Sequence, residues 1–337
     1  MKKISLSLIA KEARVSKSVV SAVLSKQENK KIFVSDKTKE KILNIAQQYN
    51  YILPKSGKEL VSGRSDTIGI MFHMFTPFFG EVLTEIQKKA FKKNLDISIY
   101  FTSHRADLEE QFLEQSRDGR VDGLIILGWV NKESPERYKK YFEYPYNIKI
   151  LNYGAVFVEG LPTISFDEKQ AGILAYQHLK EIGCKTFAGF GGSQENSRID
   201  SFCKEAEKDG AKVKNFFQSQ FIGNWEEEGK LASKFFETTK NIPEGIFCYN
   251  DLYALGLISE AQKRGIKIPR DIAIIGCDNT QICLYLNPSI TSIDTNKAES
   301  AKKMIEIITN LINGTEPNPI NTIIPVSLVE RESTKRR

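Results

Sequence analysis

Apolar positions along this chain follow two rhythms. Over residues 5–49 they recur at helical spacing in three short runs. Ile9, Ala10 and Ala13 share one face of a first helix, and Val20, Val23 and Leu24 one face of a second. Ser5 and Ser16 stand where these helices begin, and a serine oxygen there can accept an otherwise unpaired backbone N–H. Ala10 is small, so the two helices can approach closely across a tight turn. The second helix turns Lys17, Ser18, Ser21 and Ala22 outward, with nothing bulky among them. That is the geometry of a helix-turn-helix, whose second helix enters a major groove. A third helix opens at Ser35-Asp36-Lys37-Thr38, and its Ile42, Ile45, Ala46 and Tyr49 close a small core.

Residues 50–65 are polar and interrupted by Pro54, Gly57 and Gly63, and read as a linker. From Thr67 the second rhythm begins: short apolar runs alternate with amphipathic helices. Ile68–Phe72, Ile97–Tyr100 and Gly123–Leu127 are strands, separated by helices from Phe79 to Asn94 and from Asp107. The alternation resumes at Glu168–Ile182 and runs through Ile272–Ile275. A β-α-β rhythm predicts a parallel sheet with helices on both faces. The strands are too many for one small sheet, so two similar doubly wound lobes are expected. The fold class is therefore multidomain: an all-α helix-turn-helix head and an α/β domain of two doubly wound lobes. Ligands of such sheets bind beyond the carboxyl ends of the strands, and two facing lobes would enclose a cleft.

The overall charge of +6 changes this picture because it is unevenly placed. Residues 1–64 hold 14 Lys/Arg against 5 acids, an excess of nine, which leaves the rest of the chain at −3. A basic head on a mildly acidic body suits contact with a polyanion through the head alone. The five cysteines are odd in number and lack Cys-x-x-Cys spacing, as expected of reduced, buried thiols in the cytoplasm. Lys11, Glu12 and Arg14 interrupt the first apolar run too early for an export signal. No apolar stretch approaches the ~18 residues of a membrane span.

Ordered short motifs then point to a family. They include Ile9-Ala10-Lys11-Glu12-Ala13 with Val15-Ser16, Tyr51 with Gly63-Arg64, and Thr67-Ile68-Gly69. Pro77-Phe78-Phe79, Val121-Asp122-Gly123-Leu124-Ile125, Asn250-Asp251-Leu252, Ile275-Gly276-Cys277-Asp278 and Arg331-Glu332-Ser333-Thr334 follow in order. Along nearly its whole length the chain resembles the lactose repressor (LacI/GalR) family of bacterial transcription regulators. The resemblance implies periplasmic-binding-protein-like lobes and a homodimer on pseudo-palindromic double-stranded operator DNA. It implies a hinge helix in the minor groove and a small effector that closes the cleft. The implied divisions are a head over 1–49, a hinge over 50–65 and an effector domain over 66–337. Within the last, the first lobe takes about 66–164 and 294–324, the second about 165–293 and 325–337. The implied crossovers lie near 165, 293 and 325.

By the same resemblance, base contacts fall on Lys17, Ser18 and Ala22. Lysine donates to guanine acceptors, whereas Ala22 replaces the usual arginine and has no hydrogen-bonding group. Phosphate contacts fall on Ser5, Ser16, Ser21 and Ser25. Arg14 replaces a common turn glycine, which implies mild strain if φ there is positive. The intercalating leucine of the hinge is replaced by Ser56, followed by Gly57. Glycine lowers helix propensity by about 1 kcal/mol relative to alanine, so either the hinge forms weakly or it reads the operator centre differently. The effector side falls on His73, Phe79, Asn152, Asp167, Arg198, Trp225, Asn250 and Asp278. One aromatic platform with amides, a carboxylate and an arginine suits a sugar or sugar derivative. A purine or other non-sugar metabolite stays open as the alternative.

Other classes fit less well. Gly189-Phe190-Gly191-Gly192-Ser193 lacks the Lys-Ser/Thr of a phosphate loop, and no Gly-x-Ser-x-Gly elbow is present. His73, His104 and His178 have no metal-ligand spacing, and no cofactor or metal is expected. An enzyme is therefore not expected. An exported sugar-binding protein would share the lobes but not the basic head. Lys17→Ala is expected to weaken operator binding and alter its salt dependence. Unchanged affinity and salt slope in a titration by fluorescence anisotropy would remove Lys17 from the contact surface.

Overall fold

In the computed structural model the described residues are 5–24, 34–49, 64–128, 134–143, 146–192, 197–217 and 225–335, the side chains of 225–229 excepted. Ser25 and Ser56 lie outside them, as does the side chain of Trp225.

The head consists of α1 (Leu6–Ala13), α2 (Lys17–Leu24) and α3 (Asp36–Gln48). Ile9, Ala10, Ala13, Val20, Ile42 and Ala46 form its core. Arg14 ends α1 with φ 61° and ψ 44°, the left-handed turn that glycine adopts without penalty. Ser16 caps α2 by accepting from Val19 N at 3.3 Å. Ser5 departs from expectation. It occupies the first cap position, but its hydroxyl makes no cap hydrogen bond, and its backbone carbonyl alone accepts from Leu8 and Ile9. Ser21 departs as well. It is buried rather than outward, because α2 packs against both α1 and α3 and its covered arc exceeds one stripe.

The remaining elements follow in chain order. First come β1 (Thr67–Phe72), α4 (Pro77–Lys92), β2 (Asp96–Phe101), α5 (Ala106–Arg117), β3 (Gly123–Leu127) and α6 (Ser134–Phe142). Next are β4 (Ile150–Tyr153), β5 (Thr163–Phe166), α7 (Glu168–Glu181), β6 (Phe187–Phe190), α8 (Ser197–Lys208) and β7 (Val213–Phe216). Then come α9 (Trp225–Thr238), β8 (Gly245–Cys248), α10 (Asp251–Lys263), β9 (Ala273–Cys277), α11 (Ile282–Tyr285), β10 (Thr291–Asp294) and α12 (Lys297–Ile312). The chain closes with β11 (Asn321–Ile324) and β12 (Ser327–Val329). Helix α4 begins at Pro77, earlier than its apolar pattern predicts, because Thr76 caps it by accepting from Phe79 N.

Two six-stranded sheets result, ordered β11-β5-β4-β3-β1-β2 and β12-β10-β9-β8-β6-β7. All the pairs are parallel except β10–β12, as strands joined by crossover helices must be. The chain leaves the first sheet after Phe166, returns after Asp294, and passes from β11 to β12 after Ile324. Each lobe has a core on either face of its sheet, and Phe166 packs against cores of both lobes.

Helices α7 and α8 touch where the second lobe meets the cleft. A Cβ on Gly172 would lie 2.2 Å from Arg198 O and 2.6 Å from Phe202 N. Those are backbone atoms, so they cannot swing aside. Gly172→Ala is expected to cost about 1–3 kcal/mol by overpacking, measured as a lowered urea midpoint at unchanged m value.

Candidate functional site

The cleft-side ends of the strands carry the polar groups. Arg198 is the second residue of α8 and only 5% exposed. Its Nη1 donates to Tyr249 O at 2.8 Å and its Nη2 to Glu168 Oε1 at 2.9 Å. The guanidinium carbon lies 4.7 Å from the Phe166 ring centroid and 4.3 Å from that of Tyr249. A planar cation between two aromatic faces, held by a carboxylate and a carbonyl, has its orientation fixed before any ligand arrives. The same guanidinium helps hold the Glu168 carboxyl below its usual range against the opposing effect of burial.

Asp278 follows β9, and its Oδ1 is 4.0 Å from Arg198 Nη1. Its φ is 107°, its N–H donates to Ile293 O, and its carbonyl accepts from Lys297 Nζ. Burial pushes the Asp278 carboxyl up to about 8, with Arg198 and Lys297 opposing the rise. The loop carrying it is pinned from behind. Buried Asp251 accepts from Thr280 N (2.7 Å), Thr280 Oγ1 (2.8 Å) and Ser292 Oγ (2.6 Å).

On the first-lobe side, Phe78 and Phe79 begin α4. The Phe78 ring stacks on Tyr153 at 6.3 Å and meets Phe79 edge-on at 5.3 Å. Of the effector residues expected from the sequence, Arg198 and Asp278 come together. Asp167 and Asn250 adjoin Glu168 and Tyr249, the residues that hold Arg198, but both are helix caps. Asn250 Oδ1 accepts from Leu252 N and Tyr253 N, and Asp167 Oδ1 accepts from Gln170 N. Two further expected residues are buried, each with one polar atom, His73 Nε2 and Asn152 Oδ1, that has no hydrogen-bond partner among the described residues. The Asn152 amide is buried and donates to Ala155 O, bracing the turn after β4. His73 is buried beside Thr102 (Nδ1 to Oγ1 2.6 Å) and Glu109, and its ring stacks on His104. Burial pushes the His73 imidazole down to about 4. Residues that sequence reasoning missed are Glu168, Phe166 and Tyr249 around the guanidinium, and Asp251 behind the loop. The pairing of Asn250 with Asp251 after a strand was the only available signal for any of them.

In the head, Lys17 and Ser18 are exposed on α2 and Ala22 is half-buried, which leaves a low, hydrophilic surface. Among the described residues no helix is long and apolar enough to cross a membrane. Nor does any group of three or more His, Cys, Asp or Glu among them stand where it could hold a metal ion.

Comparison with known proteins identifies two regions of the chain. Residues 5–53 match the bacterial regulatory proteins of the lacI family, and residues 176–334 match the periplasmic binding protein-like domain. The chain therefore carries a lacI-family helix-turn-helix region followed by a periplasmic binding protein-like domain. The HTH-type transcriptional repressor PurR of Aliivibrio fischeri (strain MJ11) is 28% identical over 309 residues, 89% of each chain. The lac repressor dimer bound to operator and the anti-inducer ONPF superposes with TM-score 0.81 at 20% identity, covering 99% of both chains. A LacI transcriptional regulator from Alkaliphilus metalliredigens QYMF complexed with D-xylulofuranose gives TM-score 0.68 at 26% identity, covering 80% of this chain and all of that one. The fold is a helix-turn-helix head on a two-lobed, periplasmic-binding-protein-like domain.

The buried carboxyl of Asp278 sets a stability trend with a definite sign. Its native pKa lies above the unfolded value near 3.8, so between about pH 4 and 8 the native state holds a proton that the unfolded state has lost. Its contribution to stability therefore falls as pH rises through that window. Asp278→Asn is expected to flatten this fall, read from urea midpoints at pH 5 and pH 8. An unchanged slope would show that Asp278 is ionised in the folded protein.

Proposed function

We propose that this chain represses transcription as a homodimer on operator DNA in the bacterial cytoplasm, and that its effector is a purine base. The observation that carries the effector reading is the pair Arg198–Asp278. A fixed donor stands 4.0 Å from a carboxyl, with Phe166 and Tyr249 faces around the guanidinium and Phe78 and Phe79 across the cleft. A donor beside an acceptor complements a ring carbonyl beside a ring N–H, the lactam edge of an oxopurine. Flat aromatic walls suit a flat heterocycle. The similarity to PurR repressors supports the same class.

This reading replaces the sugar expected from the sequence. That expectation drew on Asn152, whose amide nitrogen donates to Ala155 O while its Oδ1 has no hydrogen-bond partner among the described residues, and on Trp225, whose side chain lies outside the described residues. A sugar keeps one argument, the xylulofuranose complex of the Alkaliphilus relative. The base contacts remain assigned to Lys17, Ser18 and Ala22, with Ser16 and Ser5 toward phosphate. The exposed Phe75, Phe91, Ile99 and Phe101 of the first lobe, with Leu284 and Tyr285 of the second, supply apolar surface for the dimer.

A thermal-shift panel of hypoxanthine, guanine, adenine, ribose, xylulose and glucose tests the effector. Hypoxanthine and guanine are expected to raise the melting temperature. Adenine, with an amino group in place of the carbonyl, should do so less. Arg198→Ala is expected to abolish the shift while DNA binding persists. A shift with a sugar and none with any base would overturn the purine reading.

A further inference from the structure

Helix α12 runs from the effector cleft to the end of the linker and makes specific contacts at both ends. At its first residue, Lys297 Nζ donates to the carbonyls of Asp278 and Asn279, the latter at 3.0 Å. It also pairs with Glu81 Oε2 at 3.3 Å. The other oxygen of Glu81 accepts from Gln281 N at 2.8 Å. An ammonium has three donors, and here each has a partner. A single lysine thus ties α12 to α4 of its own lobe and to the Asp278 loop of the other, and it is only 12% exposed.

At the far end, the carbonyl of Ile312 accepts from Arg64 Nη2 at 3.2 Å. Arg64 is the penultimate residue of the segment read as the linker. The next residues are held by one carboxylate: Asp122 accepts from Ser65 N (2.7 Å), Ser65 Oγ (2.9 Å) and Asp66 N (2.9 Å). Asp122 directly precedes Gly123 at the start of β3. A Cβ on Gly123 would come within 2.9 Å of Ile308 and 3.2 Å of Ile312, so α12 lies flat on the strand that carries the clamp.

Between its ends the helix has no freedom to bend independently. Ala301, Met304, Ile305, Ile308 and Leu311 are all buried in the first-lobe core. At 1.5 Å per residue the two contacts are separated by about 22 Å of rigid helix. Close-packed cores transmit displacement rather than absorb it.

We propose that Lys297 is a positioning residue for DNA binding: through α12 it sets the placement of Arg64 and the Asp122-clamped linker exit according to where the Asp278 loop stands. The proposal rests on the DNA-binding reading and not on the purine one. The ligand acts on the loop, Lys297 follows the loop carbonyls, and the helix carries the shift to the linker. Coupling of this kind needs an element that both sites bias, and α12 touches both.

The test uses the full chain without effector, so a failed purine reading leaves the result intact. Affinity is measured by fluorescence anisotropy on the duplex recovered by random-sequence selection, for Lys297→Met, Arg64→Ala and the double variant. Each single change is expected to alter Kd by about threefold or more, and the double variant no more than the larger single change. Lys17→Ala lies off this route, so its effect should multiply with that of Lys297→Met. Lys297→Arg should restore at least half of the change. If Lys297→Met is poorly folded by its melting temperature, Glu81→Gln replaces it, with the same non-additivity expected. Effects of Lys297→Met and Arg64→Ala that multiply, or a Kd unmoved by Lys297→Met, would overturn the proposal.

Discussion

The two lobes share three covalent crossings, and this constraint governs the rest of the effector domain. Because the chain passes between sheets after Phe166, Asp294 and Ile324, neither lobe is a continuous stretch of sequence. Relative motion must be absorbed in three short connections that lie side by side, which favours rotation about that edge over free separation. The polar groups of the cleft are anchored close to these crossings. Phe166 ends the strand at the first and covers the Arg198 guanidinium, and Lys297 follows the second. Small changes of lobe angle are therefore felt directly by the residues placed to meet a ligand.

Burying Arg198 and Asp278 is costly, and the surroundings show how that cost is offset. The guanidinium keeps its charge because Glu168 and the Tyr249 carbonyl replace water around it. The Asp278 carboxyl is instead pushed upward by burial, and Arg198 at 4.0 Å opposes that rise without cancelling it. A guanidinium beside a buried carboxyl presents two kinds of polar group to one ligand edge. A ligand with an acceptor and a donor on adjacent atoms of one edge would match the two groups together, as the proposed effector does.

Much of this was legible beforehand, and the gaps have physical causes. The head was readable because its apolar stripes are short and its turns carry serine caps. Even Arg14 could be flagged, and it does adopt positive φ. Doubly wound lobes followed from the alternation of strands and helices. Four-residue strands such as β5 and β7 were not read, because their order comes from backbone pairing with neighbours rather than from a hydrophobic run. At the site, Arg198 and Asp278 stood out by residue type and place. Glu168, Tyr249 and Asp251 did not, since their roles depend on contacts between segments far apart in the chain. For His73 and Asn152 the sequence gives a place at the carboxyl end of a strand but not the hydrogen bonds that each makes there.

The distribution of sulfur has a practical side. All five cysteines lie between residues 184 and 283, within the second lobe, and each is buried. The head and the first lobe contain none. Alkylation of these thiols therefore requires the second lobe to open, so the natural protein carries a chemical clock for the breathing of one half of its ligand-sensing domain, without any engineered label.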